Sequence, residues 1–389
     1  STMQINYPDT AEQWGVWEIS LEGRTDGNPF TDYPVTGVFT SKNETKQAEG
    51  FYDGNGIYKG RFMPSFAETY TFTITGDCLE APVSGSFTVE PAKGENHGPV
   101  RVCGDYHFAY ADGKPYYPVG TTCYVWTLQP EDVQEQTLHE LSKGYFNKIR
   151  FCVFPKHYDF NFKNPITFPY EGTPCSTEGM TRDNFMDFKP DNPGNHWDFT
   201  RFNPVHFQNM EHRIRQLMDM GIEADIIVFH PYDRWGFSEM SAADDERYVR
   251  YLIARFAAYR NVWWSMANEY DILKKTIADW ERIASLFCTY DPYCRLRSIH
   301  NCLAFYDYTA PWITHCCIQR QDIYKCAELT DEYRVRYHKP VILDEIAYEG
   351  TLPHGWGNIS GKELVRRFWE ATVRGGYAGH GETYLQDNG

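Results

Sequence analysis

The sequence is short of positive charge: 37 Lys and Arg stand against 53 Asp and Glu, a formal net charge of −16 over 389 residues. A field of that sign repels polyanions, so nucleic acid is not an expected partner. No run approaches the ~20 apolar residues that a membrane-spanning helix needs, and no basic-then-apolar leader opens the chain, so no membrane association is expected. Ser1-Thr2 ahead of Met3 has the look of a cloning remnant, which makes Met3 the expected start and the cytoplasm the expected compartment. A signal peptide removed in cloning would instead imply secretion. The motifs of phosphate and metal chemistry are also missing: there is no Gly-rich phosphate loop, no His-Glu-x-x-His and no His-x-His closing a first strand. Eleven cysteines, an odd number, lack metal-ligand spacing, and Cys123, Cys152, Cys302 and Cys316 fall in runs that read as buried strand. That pattern points to free thiols in a reducing compartment, with no metal and no cofactor expected.

Aromatic side chains are abundant: 16% of residues, with 28 Tyr, 25 Phe and 11 Trp. That exceeds the needs of an ordinary core and suits surfaces that stack on sugar rings or other flat ligands, a Tyr-rich core being the alternative. The length implies two domains, one large enough to bury a substantial core.

Between Thr10 and Pro91, short β-rich runs alternate with turn signals at Trp14–Leu21, Val35–Thr40, Gly60–Met63, Thr69–Ile74 and Gly85–Val89. The spacing predicts a small all-β, immunoglobulin-like sandwich over residues 1–95. Asp53-Gly54-Asn55-Gly56 reads as a turn whose glycines supply positive φ, and resembles a Ca²⁺ loop only superficially. The breaker-rich segment from Pro91 to Pro99 is the expected boundary. From there to Gly389, β-rich runs alternate with amphipathic helices, the pattern of an α/β fold with parallel strands. Strand candidates are Tyr116–Tyr124, Asn147–Phe154, Ile222–Phe229, Val262–Ala267, Leu296–His300, Ile313–Ile318, Val341–Glu345 and Tyr377–Tyr384, enough for a closed (β/α)8 TIM barrel over residues 96–389. Asn203-Pro204 marks a helix start, with Asn as cap and Pro in the first turn, and Tyr248, Leu252, Phe256 and Tyr259 form a core stripe on another helix. Ser360 and Glu363 are spaced as a capping box. The connection from Pro155 to Phe202 is far longer than usual and is expected to roof the barrel mouth. With no eighth helix after the last strand, the chain reads as truncated at Gly389.

The fourth strand closes on Asn268-Glu269 and the seventh on Asp344-Glu345. The carboxyl ends of barrel strands form the active face, where these two glutamates would converge. Opposed strand ends permit the ~5 to 5.5 Å separation of a retaining glycosidase, in which one carboxylate attacks carbon while the other acid protonates the leaving oxygen.

These residues resemble the large clan of retaining glycoside hydrolases that carry Asn-Glu after strand four and Glu after strand seven. The resemblance implies Glu269 as acid/base, Glu345 as nucleophile, Asn268 as the contact to the sugar 2-hydroxyl, and Arg150, in Asn147-Lys148-Ile149-Arg150-Phe151, as the cation that keeps the nucleophile ionised. Many clan members place a Tyr after strand six; Thr314-His315-Cys316-Cys317 lacks it, which leaves His315 or Tyr348 as candidates for that role. Further candidates to bind sugar hydroxyls are His230 and Trp235 after strand three, His300 and Asn301 after strand five, His315 and Gln319 after strand six, and His380 and Glu382 after strand eight. Each His is equally readable as a satisfied core group. Trp126 and Trp356 are either sugar platforms or packing at the barrel mouth.

The first strand with Trp126, the Trp197–Pro204 segment and the N-terminal Phe51–Gly56 motif resemble, more closely, the apiosidase-like glycoside hydrolases. That implies exo action or short oligosaccharide substrates, and relatives that continue into a C-terminal β-domain. Some relatives of this kind carry Asp as the acid, so Asn-Glu here gives apiose specificity no support. Two rivals stand beside the carbohydrate-cleaving reading: a metal-dependent barrel hydrolase, which the missing His motifs oppose, and a catalytically silent carbohydrate-binding protein, which the intact Glu pair opposes.

Overall fold

The computed structural model describes residues 3–159, 162–318, 330–343 and 377–378. Its N-terminal part comprises β1 (Ile5–Asn6), β2 (Thr10–Glu12), β3 (Trp17–Glu22), one helical turn α1 (Pro29–Asp32), β4 (Val35–Thr40), β5 (Thr45–Glu49), β6 (Phe51–Tyr52), β7 (Ile57–Phe62), β8 (Thr69–Gly76) and β9 (Val83–Glu90). They form two sheets, in the orders β1-β3-β7-β6 and β2-β9-β8-β4-β5. Along β3 and β8 buried residues alternate with more exposed ones, as strands with one wet face require. The inner faces meet through aromatic rings: Phe39 stacks on Phe62 with centroids 4.3 Å apart, and Trp17 on Phe87 at 4.6 Å. The Asp53–Gly56 segment is a turn between β6 and β7, with Gly54, Asn55 and Gly56 all at positive φ.

A small antiparallel sheet follows, β10 (Val100–Cys103), β11 (His107–Tyr110) and β12 (Pro115–Tyr116). The remainder alternates: β13 (Gly120–Thr122), α2 (Glu131–Leu141), β14 (Lys148–Cys152), β15 (Tyr170–Thr173), β16 (His196–Phe202), α3 (Pro204–Asp219), β17 (Glu223–Phe229), α4 (Ala242–Phe256), β18 (Val262–Ala267), α5 (Ile277–Tyr290), β19 (Arg297–Ser298), β20 (Cys316–Ile318), α6 (Thr330–Tyr337), β21 (Val341–Leu343) and β22 (Tyr377–Ala378). Two parallel ladders result, β13-β14-β17-β18-β19 and β20-β21-β22, joined by a parallel bridge between His300 and Cys317. The parallel strands thus follow one another in chain order, and all eight runs expected from the sequence contain one. Among the described residues no pairing joins β22 to β13. Unlike β3 and β8, strands β14, β17 and β18 are buried at every position, because helices cover parallel strands on the outer face.

Local signals explain the helix starts. Pro204 opens α3, where a missing N–H costs nothing, but Asn203 does not cap it: its amide donates to the Phe168 carbonyl instead. Ser241 caps α4, and Thr276 with Asp279 forms a capping box on α5. Residues 360 and 363 lie outside the described residues. The long Pro155–Phe202 connection contains an antiparallel hairpin, β15 with β16, whose Tyr170 and Phe202 stack at 5.1 Å. Trp197 at its tip donates from the indole to the Trp235 carbonyl, which fixes the hairpin to the loop after β17.

A buried charge network ties the N-terminal sheets to α3 and α4. Arg61 on β7 and Arg255 on α4 each fork onto Glu211 of α3, with N–O distances of 2.5 to 3.1 Å. Arg255 also reaches Asp53 at 2.8 Å, and Arg250 pairs with Glu49 at 2.6 Å. A cleft of about 340 Å³ opens nearby, between α1, β6 and α4. No described helix is long and apolar enough to cross a membrane.

Candidate active site

Strand β18 runs fully buried from Val262 to Ala267 and ends at Asn268 and Glu269. Glu269 sits in the left-handed region, φ 54° and ψ 54°, a conformation uncommon for Glu that marks a held turn. The Asn268 N–H donates to the Phe229 carbonyl and the Tyr270 N–H to the His300 carbonyl, so the turn is anchored on both neighbouring strands. The side chain is 4% exposed, and the Tyr232 hydroxyl donates to its Oε2 at 2.7 Å. Burial raises the Glu269 carboxyl above the ordinary carboxylate range. The Tyr232 hydroxyl, the Lys156 ammonium and the Cys302 thiol oppose that rise, and the Asp271 charge adds to it. A carboxyl so placed keeps its proton to higher pH than a solvated one, as a general acid must.

Arg150 on β14 is completely buried. Its guanidinium donates to the Asn268 side-chain oxygen at 3.1 Å and to Ser265 at 3.3 Å, and lies 3.8 Å from Asp225, which also pairs with Lys148 at 3.1 Å. Arg150 therefore orients the Asn268 amide. The amide's own N–H donors, fully enclosed, have no partner among the described residues. His300 and Asn301 are buried at the end of the neighbouring strand, and the Asp271 carboxylate accepts three backbone N–H groups beyond them, from Cys302, Leu303 and Ala304, at 2.5 to 2.8 Å.

Three of the sequence candidates lie in packed or hydrogen-bonded surroundings. His315 precedes β20 and lies at the other end of the parallel strands, where its ring packs on Phe108 and Trp263 at 5.9 and 5.3 Å and its Nδ1 meets Thr314 at 2.9 Å. It belongs to the floor of the parallel strands. His230 follows β17 at the correct end, but Nε2 donates to the Phe154 carbonyl at 3.1 Å and Nδ1 accepts from the Tyr232 N–H at 3.1 Å, leaving no ring nitrogen for a sugar. Burial pushes it down to about 4, consistent with that neutral tautomer. Trp126 is enclosed beneath α2, its indole donating to the Gln134 carbonyl and its ring edge-on to Phe151, so no face is free for stacking. Trp235 is nearly as buried, under the Arg234 guanidinium at 4.4 Å, yet it lines a cavity of about 100 Å³ with Leu128, Lys156, Tyr158 and Asn164. Glu345, Gln319, Tyr348, Trp356, His380 and Glu382 lie outside the described residues.

Tyr232, Lys156 and Asp271 were not singled out from the sequence. Lys156 projects from the loop after β14 with its ammonium over the rings of Tyr124, Tyr232 and Tyr158, at 4.1, 5.0 and 5.1 Å. The available signal was position: each lies within four residues of the carboxyl end of a parallel strand, where chemistry concentrates. Among the described residues no cluster of three or more His, Cys, Asp or Glu could hold a metal ion.

Comparison with known proteins agrees with this arrangement of strands. A solved structure from Bacteroides vulgatus ATCC 8482, described as a "putative glycoside hydrolase", is 42% identical, covers 98% of this chain and 74% of its own, and superposes with a TM-score of 0.90. Another, described as "Glycoside hydrolase", shares the fold at 16% identity, with a TM-score of 0.55 over 74% of this chain and 66% of its own. No curated protein matches the chain. Residues 10–77 match a domain of unknown function, DUF5060, and residues 104–384 match the apiosidase-like catalytic domain. The chain therefore belongs to the apiosidase-like family.

Proposed function

We propose that the glycoside hydrolase chemistry of this family proceeds here by retaining double displacement, with Glu269 as acid/base and Glu345 as nucleophile, on an oligosaccharide or small glycoside. The observation that carries the reading is the state of Glu269: buried at a strand's carboxyl end, raised above the usual carboxylate range, and beside an Asn whose amide donors are unspent. We read the parallel strands as a closed (β/α)8 barrel over residues 96–389 and the two N-terminal sheets over residues 1–95 as an immunoglobulin-like accessory sandwich that buttresses it.

In the first half-reaction the Glu345 carboxylate attacks the anomeric carbon while Glu269 gives its proton to the departing oxygen. The attack yields a glycosyl ester and leaves Glu269 anionic. In the second, Glu269 takes a proton from water as the water oxygen displaces the ester. Arg150 serves both steps by holding Asn268 for the 2-hydroxyl.

The test is turnover of aryl glycosides of both anomers of the common pentoses and hexoses. Glu345→Gln is expected to abolish turnover. Glu269→Ala is expected to lose ~10²- to 10⁴-fold in kcat/KM on poor leaving groups, to spare kcat/KM on good ones, whose glycosylation needs no acid, and to lose kcat on good ones until azide restores the second step. Equal loss on all leaving groups without rescue overturns the acid/base assignment, and binding without turnover by wild type overturns the enzymatic reading in favour of a silent carbohydrate-binding protein.

A further inference from the structure

We propose that Tyr232, with the Lys156 ammonium held over its ring, is a positioning residue that aims Glu269 and sets its charge between the two half-reactions. The inference rests on Glu269 being the acid/base. Tyr232 has no such role in the sequence pattern; it emerges from how three loops are joined. The Tyr232 N–H is held by His230 Nδ1 at 3.1 Å, and its carbonyl accepts the His157 N–H at 2.8 Å. His230 in turn is anchored to the Phe154 carbonyl. The loop after β17 is thereby stitched to the loop after β14, and the stitch brings the Lys156 ammonium to 5.0 Å from the Tyr232 ring.

The phenol donates to Oε2 of Glu269 and fixes that oxygen. A cation over the ring draws electron density from the phenol and strengthens its O–H as a donor. Among the described residues, the titratable or charged groups facing the Glu269 carboxyl are Tyr232 after β17, Lys156 after β14, Cys302 after β19 and Asp271 on its own turn. The Cys302 thiol is pushed up to about 12 by burial, with the two carboxylates adding, and so stays neutral through the working range. Tyr232 and Lys156 are thus the oxygen donor and the cation that favour the carboxylate. Tyr232 acts through the hydrogen bond it donates to the carboxyl. It stabilises the anion that Glu269 becomes when the leaving oxygen takes its proton, and holds that anion ready to accept a proton from water.

Removing the hydroxyl leaves Glu269 buried with less to favour its charge, so it holds its proton to higher pH. Tyr232→Phe is therefore expected to move the basic limb of kcat/KM upward by about one pH unit. It is also expected to lower kcat at neutral pH by roughly 5- to 10-fold on activated aryl glycosides, whose slow step needs Glu269 as a base. Azide should restore that loss. Lys156→Met is expected to shift the limb the same way by a smaller amount, and Lys156→Arg to restore it. In a Glu269→Ala background Tyr232→Phe should add nothing. An unmoved or downward limb, or a loss that adds to Glu269→Ala, overturns the proposal. Because Glu269→Ala alone reports leaving-group dependence, failure of the acid/base reading is separable from failure of the Tyr232 role.

Discussion

Glu211 and Glu269 are equally hidden from water, at 2% and 4% exposure, and have opposite characters. Glu211, on α3 facing the N-terminal sheets, accepts forked guanidinium donors from Arg61 and Arg255. Burial there is overcome by those two cations, and the carboxyl lies below its ordinary range. Glu269 has one neutral phenol within 2.7 Å and a lysine at a distance, so burial wins. Glu223, buried near the start of β17, extends the series: the Trp263 indole donates to it at 3.0 Å, and burial pushes it up to about 7. Enclosure makes a carboxylate costly in all three places. Whether it becomes a strut or a proton store is decided by the number of full positive charges in contact with it.

Glu211→Gln gives the largest expected stability effect, because it leaves two buried guanidinium groups facing an amide. A loss of about 3 to 5 kcal/mol in denaturant unfolding at neutral pH is expected, with the pH profile of residual activity unchanged. The sign with pH follows from its lowered folded value: the stabilisation is complete above the unfolded value near 4.5 and is lost as pH falls through the folded one. The variant should therefore also lose part of the acid sensitivity of wild type. Glu269→Gln should do the reverse, destroying acid/base function while making the fold more stable at neutral pH. A carboxyl raised in the folded state costs stability once pH rises above its unfolded value, and the amide removes that cost. An equal or lower unfolding midpoint would show that the site is not held against its own charge. The smallest effect on activity is expected from Glu223→Gln, which should leave turnover unchanged while flattening a decline in Tm between about pH 4.5 and 7.

Much of this fold was legible because periodicity reports burial. Alternation in Thr69–Gly76 reads as a strand with one wet face, and the run Val262–Ala267, apolar but for Ser265, as a strand covered on both. Glu269 was visible for the same reason, as a charge that closes such a run. The β15–β16 hairpin was not, because it is held by rings scattered along the chain, such as Tyr170 on Phe202, rather than by alternation. The place of His315 was harder to read because sequence locates a strand better than its ends: β20 starts at Cys316 rather than Ile313, which leaves the ring ahead of the strand, at its amino end. Tyr232 was missed because its contact with Glu269 crosses 37 residues and depends on a ring nitrogen of His230 that looked free for a ligand.

The hydrogen bond from the His157 N–H to the Tyr232 carbonyl has a consequence for descent and for engineering. Loops at the rim of parallel strands are usually treated as parts that can be exchanged one at a time to alter specificity. Here two of them share a main-chain seam, so they are exchanged intact only as one unit. A chimera that imports the loop after β14 from a relative while keeping the native loop after β17 splits that seam, and with it the placement of the phenol against Glu269. Recombination that carries both segments together preserves it.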